Sequence, residues 1–91
     1  MGGERLTAAP DLVENILDAI ATARDRHIHR AHELSERCAA QIQAGERDAA
    51  GETSNTAERH RTAAIAIGLL LAQCQAIASG RAALASETSH G

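Results

Sequence analysis

From Thr62 to Gly80, between Arg61 and Arg81, no residue carries a charge. A stretch of that length is close to the ~20 residues that cross a bilayer. It therefore belongs either in lipid or at the centre of a helical assembly. Gln73 and Gln75 interrupt the run with polar groups, and Thr62 and Ser79 stand at its ends. Alanine, its commonest residue, is nearly neutral for insertion. The first half of the chain is too highly charged to accompany it into lipid. The run reads as a buried bundle helix, and a small membrane-associated protein with a span at 62–80 is the further alternative. Small residues four apart fit either setting, because close helix packing in lipid uses the same device.

The core available to such a helix is limited. The chain has 91 residues and no Phe, Tyr or Trp, so it forms one domain with an aliphatic core. Alanine buries little surface, and a lone hairpin recovers only part of the ordering cost of roughly 1.5 kcal/mol per residue. A protein partner is therefore expected. The formal charge of -3 lacks the basic excess that phosphate neutralisation requires, so no nucleic-acid partner is expected. Two cysteines, Cys38 and Cys74, and no cleavable leader after Met1 give a cytoplasmic expectation, with leaderless export the other route.

Apolar residues recur as Leu12, Ile16, Ile20, Ala23, His27 or Ile28, Ala31, Leu34, Cys38 and Ile42, the three- or four-residue spacing of one helical face. Pro10 suits the first turn, where its missing N–H costs nothing. Gly45 suits a left-handed C-cap. Polar Gly45 to Ser54 reads as a connection, and Asn55 with Glu58 as a capping pair for a second helix through Ala63, Ile67, Leu70, Leu71, Cys74 and Ile77. The expected fold is all-α. It is a single antiparallel two-helix hairpin over 1–91, with a helix at about 10–44, a loop at 45–54, a helix at 55–80 or 85 and a disordered tail at 86–91. With another chain it assembles into a four-helix bundle. A continuous rod is the alternative, since Glu46 to Ala50 holds no strong breaker.

Two series of small residues fall four apart: Ala19, Ala23, Ala31, Ser35 and Ala39, then Ala64, Gly68, Ala72, Ala76 and Gly80. Folding the chain between Ala49 and Ala50 sets positions whose numbers sum to 99 against each other, so the two series coincide as a tight helix–helix seam. Ala31 then meets Gly68, and His27 meets Ala72. The larger residues beside the seam, Ile16, Ile20, Ile65, Leu69, Leu70, Ile77 and Leu84, form the expected interface.

The histidines carry the candidate chemistry. His29 and His32 are three apart on one helical face, beside Glu33 and Glu36, while His27 and His60 lie on or beside the seam. No His-Glu-x-x-His or Cys-x-x-Cys-His is present. The ordinary reading of His29 and His32 is as solvated partners of Glu33 and Glu36. His27 and His60 read as core fillers or register pins. In the 99 register Cys38 lies near His60, but no orienting group or substrate pocket accompanies the pair, and no catalytic residue or cofactor is expected. Cys38 and Cys74 sit too far apart along the hairpin for a disulfide.

Size and shape resemble the small helical-hairpin export substrates of the Trp-x-Gly type. The turn here reads Gly45-Glu46-Arg47-Asp48, and the chain has no tryptophan, so the resemblance is one of architecture alone. The expected function is non-enzymatic: protein–protein interaction, or a structural or adaptor role, through an apolar helical face in a homo- or hetero-oligomeric bundle. The alternative is a metal- or haem-binding bundle using His27, His60 or the His29/His32 pair.

Overall fold

A computed structural model describes residues 2–90, with side chains for 11–81. Helix α1 (Gly2–Gln43) and helix α2 (Arg47–His90) pack as an antiparallel hairpin, and no strand occurs among the described residues. The hairpin measures 69 × 24 × 13 Å. Its thickness is that of a single helix, so both broad faces are open to solvent.

The connection is three residues, not the ten expected. Gly45 adopts φ 80°. Its N–H donates to Ile42 O at 3.1 Å, and the Glu46 N–H donates to Gln41 O at 2.8 Å. These two bonds are a Schellman motif, in which a left-handed residue satisfies the last free carbonyls of a helix. Helix α2 begins at once, with Ala50 N–H bonded to Glu46 O at 2.9 Å. The segment 47–54 is helical because its polar residues are compatible with that state. Thr53 and Thr56 return their hydroxyls to the carbonyls of Ala49 and Glu52, four residues earlier. Asn55 is therefore an interior residue of α2 and not its cap.

The outer ends also differ from expectation. α1 begins at Gly2, which places Pro10 inside the helix, where it donates no bond to the preceding turn. α2 continues to His90, across the segment expected to be a tail, as the helix-favouring Ala82 to Ala85 allows.

The early turn shifts the register. Residues whose numbers sum to about 90 face one another: His27 stands against His60, Cys38 against Ala50, and Arg24 beside Gly68. The mirrored small-residue seam does not form. Ala31 shares a groove with Arg61 and Ala64, and not with Gly68. The offset from the expected pairing is roughly nine residues, or about 13 Å along a helix axis.

The seam that does form repeats every seven residues. In α1 it runs through Leu17, Ile20, Arg24, His27, Ala31, Leu34, Cys38 and Gln41, all buried or half-buried. In α2 it runs through Ala50, Thr53, Ala57, His60, Ala64, Ile67, Leu71, Cys74 and Ala78. Alternating steps of three and four are the signature of two helices wound about each other as in a coiled coil. The buried members are Ala31, Leu34, Ala50, Ala57, Ala64 and Leu71. Four of these six are alanines, so the hydrophobic stabilisation from the seam is small.

Glycine substitutions separate this arrangement from the expected one. A Cβ at Gly68 meets only the Arg24 Cδ, at an ordinary 3.6 Å, and one at Gly80 meets nothing within 4 Å. Gly68→Ala is expected to raise hairpin stability by about 0.5–1 kcal/mol through helix propensity. Gly45→Ala is expected to lower it by roughly 1–2 kcal/mol, because an L-residue is strained at that φ. Urea unfolding followed by circular dichroism measures both, and destabilisation by Gly68→Ala would restore the tight-seam register.

Candidate interaction surface and histidine pair

The residues expected at an interface are distributed unevenly. Ile16, Ile65, Leu69, Leu70 and Ile77 are exposed, as are Leu12, Val13, Ile28 and Ile42. Ile20 is half-buried in the seam. The Leu84 side chain lies outside the described residues. Val13, Ile16 and Leu17 with Cys74, Ile77, Ala78 and Arg81 line one largely apolar groove towards the open end of the hairpin. Ile28 and Ala31 with Arg61, Ala64 and Ile65 line a second, nearer the middle. These grooves follow from the heptad pattern, because large aliphatic residues flank a seam whose own positions carry alanine, threonine and histidine.

Of the residues expected in the seam, Ala31 and Ala64 are buried, and Ala23, Ser35 and Gly68 are half-buried. Ala19, Ala72, Ala76 and Gly80 are exposed and lie off the contact between the helices. A strict step of four turns about 40° beyond a full turn each time, so such a series drifts off a contact that follows alternating steps of three and four.

The same change brings His27 and His60 together. Their Nδ1 atoms are 2.9 Å apart and their ring centroids 5.1 Å apart, with the planes tilted by 37°. One ring donates Nδ1–H and the other accepts with its Nδ1 lone pair, so the pair requires complementary tautomers. Each ring satisfies the other's polar atom at a half-buried position that would otherwise leave it desolvated. The 99 register instead sets His27 against Ala72.

Other polar residues close the flanks. Arg61 reaches across the seam to donate to the Ser35 hydroxyl and pairs with Glu58 at 2.8 Å within its own helix. Arg24 lies over Gly68 and binds Asp25 at 3.1 Å. Cys38 Sγ donates to Ala50 O at 3.4 Å, so it is occupied by the backbone and does not approach His60 as expected. Both cysteines are free. His29 and His32 face Glu33 and Glu36 at 3.4 and 3.1 Å, all well exposed, and share no common centre. Among the described residues there is no group of three or more His, Cys, Asp or Glu side chains placed to hold one ion.

Comparison with protein-family models, with curated proteins and with solved structures gives no match for this chain.

Proposed function

We propose that the chain is a non-enzymatic interaction module that completes its core against a second copy of itself, as a four-helix bundle. The observation that carries this reading is surface area. The chain exposes 7075 Å², whereas a compact monomer of 9.5 kDa exposes about 5000 Å². The excess, roughly 2000 Å² per chain, is the scale that obligate dimers bury from each partner. Large aliphatic residues line open grooves on that surface, and uncovered apolar grooves mark an interface. A second copy suits these grooves because the run from Thr62 to Gly80 brings no charge into the contact. The net charge of -3 per chain then stays on the outer faces.

Sedimentation equilibrium tests the reading. The expected mass is near twice 9.5 kDa, held on dilution through the micromolar range. A folded monomer at high concentration overturns it, and a monomer that folds only on adding another helical protein assigns the surface to that partner instead.

One observation favours a second reading, association with lipid. The most apolar stretch of α2 has a mean hydropathy of 1.6 and is only 11% buried within the hairpin. In that case the protein floats with vesicles and needs detergent for extraction, whereas the bundle reading predicts an assembly soluble without it.

A further inference from the structure

We propose that His27 and His60 form a binding site for a first-row divalent ion, best suited to Cu2+ or Ni2+, that clamps α1 to α2. The two imidazoles come from different helices and point their Nδ1 atoms at one another across 2.9 Å. Both residues are half-buried in the seam between the helices.

The distance selects a geometry. With metal–nitrogen bonds of about 2.0–2.1 Å, two nitrogens at this separation subtend roughly 90° at the ion. That is the angle between neighbouring ligands in tetragonal and octahedral sites, which nitrogen-ligated Cu2+ and Ni2+ adopt. Tetrahedral Zn2+ needs the nitrogens about 3.3 Å apart, which means opening the seam by several tenths of an ångström.

Binding balances without loss of a proton from neutral rings. The donor ring exchanges its Nδ1 proton for one on Nε2, the two rings, which face each other nearly head-on, turn within the seam until both Nδ1 lone pairs meet at the ion, and water fills the remaining positions. No third protein ligand is required, and none is grouped with the pair among the described residues. Every atom of the site belongs to one hairpin, so the site stands apart from the question of a second copy. The ion stabilises the folded state by mass action, because the unfolded chain does not hold two rings 33 residues apart at this spacing.

The test is titration of CuCl2 and NiCl2 into the untagged full chain, read by calorimetry and thermal melting. One ion should bind per chain and raise Tm. Affinity should fall roughly tenfold or more in His27→Gln and in His60→Gln, and hold in a His29→Gln, His32→Gln double variant. The electron paramagnetic resonance spectrum of Cu2+ on the unmodified chain should show two imidazole nitrogens, a readout that depends on no variant folding. Equal affinity in the two seam variants, no bound ion at all, or fewer than two nitrogens in the spectrum would overturn the proposal.

Discussion

Replacing Leu70 with Asp is expected to dissociate the assembly and unfold the chain in the same step. The residue is 50% exposed in the hairpin. If the hairpin were complete alone, a carboxylate there would meet water and change stability by no more than about 0.5 kcal/mol. Within a bundle it would lie in the uncharged strip. Each copy would lose the roughly 1.5–3 kcal/mol of a buried leucine and add the larger cost of a desolvated, unpaired charge. A core of four alanines and two leucines cannot absorb that loss. Sedimentation and far-ultraviolet circular dichroism on one sample follow mass and helicity together. A soluble, helical monomer carrying Leu70→Asp would remove the interaction reading.

The second large effect concerns the seam itself. Leu34 and Leu71 are each 4% exposed and are the only large side chains buried among the described residues. Truncating either to alanine is expected to cost about 2–5 kcal/mol, towards the lower end because a single-layer hairpin can relax around the gap. Leu69, two positions from Leu71 and 64% exposed, provides the contrast. Urea midpoints should drop steeply for Leu34→Ala and Leu71→Ala. Leu69→Ala should leave the hairpin's own unfolding nearly unchanged, and any larger loss there should appear as weakened association. If Leu69→Ala proved as costly to the isolated hairpin as Leu71→Ala, the seven-residue seam would be wrong.

The helical hairpin was legible because apolar residues recur at helical spacing on either side of Gly45, and that glycine is the left-handed cap expected of it. The length of the connection was not. Glu46 to Ser54 is polar and contains Gly51, which suggests a loop, but two threonines that bond back to carbonyls make the same segment a serviceable helix. Misplacing the fold point moved every cross-helix pair. The signal that would have corrected it was present as alternating steps of three and four through Arg24, His27, Gln41, Thr53 and His60. Arg24, Gln41 and Thr53 read as surface positions because their side chains are polar, while four-spaced alanines and glycines stand out by being small. Arginine enters such a seam by lying its methylene stem along the neighbouring helix and turning its head outwards, as Arg24 does over Gly68. Histidine enters by finding a second histidine. That pairing depends on register and is invisible until the register is known.

The three-residue reversal at Ala44–Glu46 gives the molecule a direction. Both described chain ends leave from one pole, while the other pole, most of a 69 Å rod away, presents only the bend between Gln43 and Arg47. A label or tether attached near either end therefore sits beside the groove of Val13, Ile16 and Ile77, and one attached at Glu46 stays clear of it. Under the proposed pairing of copies, labels at the bend suit its measurement, and fusions at the ends are the ones expected to obstruct it.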